Sequence, residues 1–316
     1  MHLSSTTFYF SLHSIYSHVM SYIGEIAAFG TAICWTLSAL FFEQGTKRIG
    51  VLGVNFYKVV FAFVFLTITA WIVKGKPFPI DAGPHEWFFL TVSGFIGFVI
   101  TDIFLFTAYK TIGSRMATLF LAISPAFTAL LGYVFLNEVL SVKALLAMAL
   151  VASGIILAVL SRERIQMSSV AKTLSIRGYI FAFLSSIGQS VGMIFTRQGV
   201  KNYDAISGTQ IRVMSAIVGF ALVSLIFERG KSVTQSPKDS QGMRFTFIGS
   251  IFGPFLGVAL SLFAMQHTKT GIVSTLIGLT PILIIPPAVL ILKQRVKLFE
   301  VVGAVIAVAG SALFFM

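Results

Sequence analysis

Apolar and polar positions along this chain fall into long hydrophobic runs broken by short polar hinges. Ten runs approach the roughly 20 residues needed to cross about 30 Å of hydrocarbon as a helix. They are Tyr22–Phe42, Val51–Val73, Trp87–Ala108, Ser114–Leu136, Val142–Leu160, Tyr179–Arg197, Ala205–Phe227, Phe245–Met265, Gly271–Leu292 and Phe299–Phe315. Only three connections exceed a few residues: Lys74–Glu86, Ser161–Ile176 and Glu228–Gly242, the last of which includes Ser236-Pro237. The middle one, with Arg162, Glu163, Arg164, Lys172 and Arg177 around it, is the natural boundary of the chain. The pattern thus predicts an N-terminal extension, 1–19, a five-span unit, 20–160, a linker, 161–176, and a second five-span unit, 177–316.

The two units repeat one another. Ala108 through Pro125 to Gly154 overlays Ala264 through Pro281 to Gly310 at one offset, 156, without a gap. The earlier parts match more weakly at an offset of 154, pairing Ala28-Phe29 with Ala182-Phe183, Gln44-Gly45 with Gln198-Gly199, Lys58 with Arg212, and Ala62 with Ala216. Chance apolar matches would not reproduce the Lys58/Arg212 pair, because each cation lies about seven residues, or roughly 10 Å, inside its span. A unit of five spans is odd, so the second copy starts from the opposite side of the bilayer. The expected fold is therefore an all-α integral membrane protein of ten transmembrane helices in two inverted five-helix repeats, an arrangement of secondary transporters.

Composition agrees. The 316 residues are 56% hydrophobic and 11% charged, where a soluble domain carries about 25% charged residues. The formal charge of +12 sits mostly in the hinges, where Lys and Arg address the membrane faces, and this excludes a nucleic-acid partner. Of the basic residues outside the span interiors, 15 lie in odd-numbered connections and 6 in even-numbered ones. The positive-inside rule then puts the odd connections in the cytoplasm and both termini outside. The single cysteine, Cys34, excludes an intramolecular disulfide and any multi-cysteine metal site. Met1 to His18 contains no Lys or Arg and so lacks the basic start of a targeting peptide; the expectation is that the biological start is Met20, the first segment being a gene-model extension or else a short disordered tail.

Candidate chemistry is sparse and deep. Pro125 and Pro281 fall near the centres of the fourth and ninth spans, where proline removes a helical hydrogen bond, and their symmetric placement marks them as hinges. Asp102 is the only acid well inside a span, and Lys58 lies at the same level of the neighbouring span, so an ion pair or a water-bridged pair is allowed between them. They are read as a substrate or proton site, with a structural salt bridge as the alternative. Arg212 has no acidic counterpart, because Val258 takes the place of Asp102 in the second repeat. Either it is free to bind an anionic group, with Gln210, Gln189 or Gln266 as polar neighbours, or it snorkels or pairs with backbone carbonyls. Glu25 and Glu43 lie near the ends of the first span, and His267 caps the eighth. Gly188-Gln189-Ser190-Val191-Gly192 matches the Gly-x-Ser-x-Gly pattern of serine hydrolases, but in the middle of an apolar helix small packed residues explain it better. No zinc-ligand spacing, phosphate-binding glycine loop or catalytic triad appears, so neither a cofactor nor an enzyme is expected.

Thr101-Asp102-Ile103-Phe104-Leu105-Phe106, Ala108-Tyr109-Lys110, Ile112-Gly113-Ser114-Arg115 and Ala117, followed by Ser124-Pro125 and Leu136-Asn137-Glu138, resemble the drug/metabolite transporter superfamily in its ten-span EamA-type branch. The resemblance covers nearly the whole chain from Met20 and implies export or uptake of amino acids, other metabolites or toxic compounds by alternating access, without ATP. It implies a permease of the plasma or inner membrane whose partners are a small solute and the lipid bilayer. Spans one to four and six to nine should line a central cavity, while spans five and ten pack peripherally or at a homodimer contact. Two departures stand out. The family often carries Gly-Glu after the fourth and ninth spans, where this chain has Asn137-Glu138 and then Lys293-Gln294. The family is also drawn with cytoplasmic termini, against the charge count, which leaves orientation open. Two other classes stay in view: a membrane-embedded hydrolase using Ser190, and a non-transporting membrane scaffold.

Overall fold

Backbone N–H and C=O groups have no water to bond inside hydrocarbon, so apolar runs of this length satisfy them within helices. The computed structural model describes residues 22–105, 107–108, 120–121, 123–163, 176–283, 286 and 298–313, and every regular element among them is helical. Among the described residues six helices are long and apolar enough to cross a membrane: α1 (Ile23–Thr46), α2 (Arg48–Lys74), α3 (Pro84–Leu105), α6 (Arg177–Val200), α7 (Ala205–Glu228) and α8 (Ser240–His267). Shorter helical stretches fall within the remaining predicted runs, as α4 (Ser124–Leu136), α5 (Val142–Glu163), α9 in two pieces (Thr270–Ile277 and Thr280–Leu283) and α10 (Leu298–Ala312). The extension 1–19, the linker from 164 to 175 and the run Tyr109–Leu119 lie outside the described residues.

Helix ends are set by local chemistry. Gly50, at φ +76°, breaks the helical run Ile23–Lys74 into α1 and α2 with almost no connecting loop, and only glycine takes that conformation without strain. Asn137 ends α4 in the left-handed region at φ +54°. The Asp204 carboxylate accepts the Ser207 N–H at 2.7 Å and caps α7, and Asp239 caps α8 through the Gly242 N–H at 2.8 Å.

Pairs of equivalent helices meet antiparallel. A methyl group at Gly154 of α5 would fall 2.6 Å from the Ala307 nitrogen of α10, and one at Gly310 would fall 2.9 Å from the Val151 nitrogen. Moving the α5 residue up by 156 and the α10 residue down by 156 turns one contact into the other, so the two helices exchange places about a local twofold. Helices α2 and α7 do the same: Lys74 pairs with Asp204, Gln210 with Thr67, and Lys58 lies against Phe220. That register sets Ala62, fully buried, opposite its repeat partner Ala216, also fully buried. Helices α4 and α9 touch through Thr128 and Ser274, and Pro125 lies 3.8 Å from where a Gly278 Cβ would stand. A twofold that relates antiparallel helices lies in the plane of the membrane, and the halves are therefore inverted. Helices α5 and α10 form a peripheral pair, and Val301, Val305 and Val308 leave an apolar face outward.

Candidate functional site

Lys58 comes from the third turn of α2 and Asp102 from the last part of α3. The Lys58 Nζ donates to Asp102 Oδ2 at 2.8 Å, with 6% of the lysine and 16% of the aspartate side chain exposed. The Phe42 and Phe220 rings lie 5.8 and 5.9 Å from the ammonium. The approach depends on a local irregularity that periodicity does not reveal. Residues Phe95–Ile100 of α3 form a wide π-type turn, and so do Ile251–Gly257 of α8, at the equivalent place in the second repeat. Each adds a residue to the turn and rotates the remainder of its helix by about 100°. In α8 Pro254 gives a local cause. In α3 the Ile96 carbonyl accepts both the N–H and, at 2.8 Å, the hydroxyl of Thr101, directly before Asp102. Both wide turns pack tightly on the first helix of the other half: Gly97 lies against Gly192, and Gly253 against Ser38. Gly253 and Gly257, to either side of Pro254, thus give α1 room to pack closely.

Arg212 does not snorkel. It is 8% exposed, its guanidinium carbon lies 5.1 Å from the Phe98 ring, and its Nε has no hydrogen-bond partner. Two of the three glutamines expected beside it are occupied elsewhere. Gln210 donates to Thr67 Oγ1 at 2.9 Å and to the Pro77 carbonyl at 2.7 Å, tying α7 to the α2–α3 connection. Gln266 donates to the Val200 and Tyr203 carbonyls, and Gln189 sits half-buried beside the Gly188–Thr101 contact. Val258, where the first repeat has Asp102, belongs to the same apolar cluster as Ile211 and Val213.

The helices that bear Pro125 and Pro281 are each preceded by a turn. Ile123 forms a turn before α4, and Gly278 and Leu279 separate the two pieces of α9. Pro125 stands in the first turn of the helix that restarts, where its missing N–H costs nothing, and Pro281 follows Thr280 at the start of the second piece of α9. The Ser190 hydroxyl lies 3.0 Å from the Ser124 carbonyl, and the Thr36 hydroxyl lies 3.5 Å from the Thr280 carbonyl. These are repeat-related contacts of α6 with α4 and of α1 with α9, each on the carbonyl just before a proline. Ser190 is fully buried, and its hydroxyl also lies 3.0 Å from the Ser186 carbonyl and 3.0 Å from the Ser124 hydroxyl. No histidine is among its partners, so it acts as a packing hydroxyl.

One membrane face is closed by a polar network that the hydrophobic pattern did not single out. Glu138, just past α4, accepts the Thr270 N–H and hydroxyl at 2.8 Å each and lies 3.5 Å from Arg197 of α6. Lys269 donates to the Val139 carbonyl, and Thr268 to Glu25 at 2.6 Å, which places Glu25 in the latch. Lys74 bonds Asp204 and Ser207 at 2.9 Å each, and Tyr203 donates to Asp81 at 2.9 Å. For Asp204, burial works to raise the carboxyl pKa, but the Ser207 N–H and Lys74 outweigh it and hold it below the ordinary value of 3.8. His267 rests its ring on Phe263 with centroids 4.2 Å apart. The opposite face has the Arg48–Asp239 pair at 3.0 Å beside a cavity of about 730 Å³ lined by Arg48, Glu228, Lys231, Lys238 and Asp239. That cavity does not reach Lys58, Asp102 or Arg212.

Comparison with known proteins bears on this architecture. A crystal structure described only as "Crystal structure of protein" superposes with a TM-score of 0.69 at 15% identity, covering 92% of this chain and 96% of its own. At that identity the likeness speaks for the fold. No curated protein matches the chain. The model of the EamA-like transporter family matches twice, over residues 22–160 and 176–316. With both halves matched and the helices paired as inverted repeats, the chain belongs to the EamA-like transporter family, as a multi-pass membrane protein.

Proposed function

We propose that this protein is a secondary transporter of a small organic solute in the plasma or inner membrane, working by alternating access between its two inverted repeats. The observation that carries this reading is the buried Lys58–Asp102 pair at 2.8 Å, held beside a twofold on which the broken helices α4 and α9 meet. An ionised carboxylate at that depth costs about 2.5–3.5 kcal/mol on insertion scales, a cost that a purely structural helix contact could avoid. The breaks at Ile123 and Gly278–Leu279 supply hinges at mid-depth, and the network around Glu138, Lys74 and Tyr203 supplies a closed gate. Lys58, Asp102 and Arg212 form the substrate and coupling site. Pro125 and Pro281 mark the hinges. Asp102 is the group that would exchange a proton if transport is coupled.

The test is solute counterflow in proteoliposomes with amino acids, nucleobases and quaternary amines as probes, in the absence of ATP. The wild type should accumulate at least one labelled solute, and Asp102→Asn, purified in folded form, should lose that activity. Full counterflow by the folded Asp102→Asn variant would remove Asp102 from the site. Failure of every probe to move in either direction would overturn the transport reading.

A further inference from the structure

Away from the helix ends, the described spans carry three charges: Lys58, Asp102 and Arg212. Lys58 and Asp102 neutralise one another at 2.8 Å. Among the described residues no acid pairs with Arg212, which is 8% exposed and whose Nε has no partner, so it is left there as net buried charge. The backbone of Arg212 lies opposite Gly94, whose Cβ would meet the Arg212 Cα at 2.8 Å. Its side-chain tip lies farther along α3, with Nη2 3.1 Å from where a Gly97 Cβ would stand. The side chain therefore runs along α3 in the direction of Asp102, into the room that glycine leaves in the wide turn. From the α2–α7 register, Lys58 and Arg212 sit four residues to either side of the Ala62/Ala216 crossing, about 12 Å apart along the helices. The repeat that holds Lys58 also supplies its acid. The repeat that holds Arg212 supplies Val258 instead, 3% exposed in an apolar cluster.

A buried guanidinium presents a planar fork of donors that matches the two oxygens of a carboxylate or phosphate. We propose that the transported solute carries such an anionic oxygen group and that Arg212 docks it, so that the solute brings the charge that Val258 does not provide. This inference rests on the transporter reading and narrows its substrate class to anions and zwitterions.

The test uses purified full-length wild type and Arg212→Met, and reads thermal midpoints in detergent. The probes are inorganic phosphate and matched acid–amide pairs: acetate with acetamide, alanine with alaninamide, and benzoate with benzamide. Without probe, Arg212→Met should melt at or above the wild-type temperature, because it removes an uncompensated charge. At saturating probe the wild type should gain at least about 3 °C from an acid or from phosphate and less from the matched amide, and the variant should gain nothing. A probe-free loss of more than about 3 °C in Arg212→Met, or its failure to fold, would show that the protein already compensates the arginine and would overturn the inference. Equal response of the wild type to acids and amides, or no response to any anion, would overturn it as well. Counterflow separates the two readings: anion stabilisation without movement of any solute sinks transport and keeps the anion site. Continued movement of a neutral or cationic solute by Arg212→Met does the reverse.

Discussion

At the scale of single residues, the interior of this protein is decided by which charges have partners. Lys58 and Asp102 are mutually satisfied, and removing one partner of a buried pair typically costs about 3–5 kcal/mol because the other is orphaned. Lys58→Met and Asp102→Asn should each lower the thermal midpoint strongly, whereas the double variant Lys58→Met/Asp102→Leu should recover most of the stability and none of the transport. A double-mutant cycle on purified protein measures both. If the double variant transports, the pair is structural. The sequence predicted that the two residues share a level, because the depth of a residue in a span can be counted. It did not predict that Gln210 and Gln266 turn away from Arg212, because side-chain direction depends on backbone carbonyls at Pro77, Val200 and Tyr203 that no periodicity reveals. Gly50 is a plainer case. Alanine at φ +76° should cost about 1–2 kcal/mol, read as a lower midpoint without loss of solute binding.

At the scale of elements, the closed face is a latch of helix ends. Glu138 joins the end of α4 to the end of α6 and the start of α9, while the repeat-equivalent of Glu138 is Gln294 and that of Arg197 is Glu43. The two faces therefore differ in chemistry although they are related by symmetry. Glu138→Gln should weaken this face and open it: a cysteine at Ser274, now buried, should react with an impermeant maleimide several-fold faster in that variant, in a Cys34→Ala background. Unchanged labelling would mean that the latch does not hold the gate. The same face responds to acid. Asp204 has a folded-state pKa below its unfolded value of 3.8, so its contribution is fully present above that value and is lost as pH falls through the folded pKa. Midpoints measured from pH 6 down to 3 should fall more steeply in the wild type than in Asp204→Asn. The prolines show the limit of reading elements from sequence: they mark mid-depth disturbance correctly, but whether a helix bends or breaks and restarts depends on what receives its carbonyls, here Ser190 and Thr36 from the opposite half.

At the scale of the whole molecule, inversion is a statement about contacts. Thr128 and Ser274 come within 3.3 Å across the α4–α9 crossing, and cysteines at those positions should form a disulfide under mild oxidation in a Cys34→Ala background. Halves that point the same way would keep them apart. The wide turns in α3 and α8 are the largest feature hidden from the sequence, because only α8 carries a proline there and the α3 irregularity is stabilised by packing on Gly192 and by the Thr101 hydroxyl. The sequence by itself determined the membrane environment, the helical class, the duplication and the depth of each buried charge, since these derive from apolar length, periodic self-similarity and 1.5 Å of rise per residue. Only the tertiary structure decided which polar groups meet, which helix ends are tied together, and that Gln210 and Gln266 turn away from Arg212, because those outcomes depend on helix rotation and crossing register, which are set jointly by both halves and encoded in neither alone.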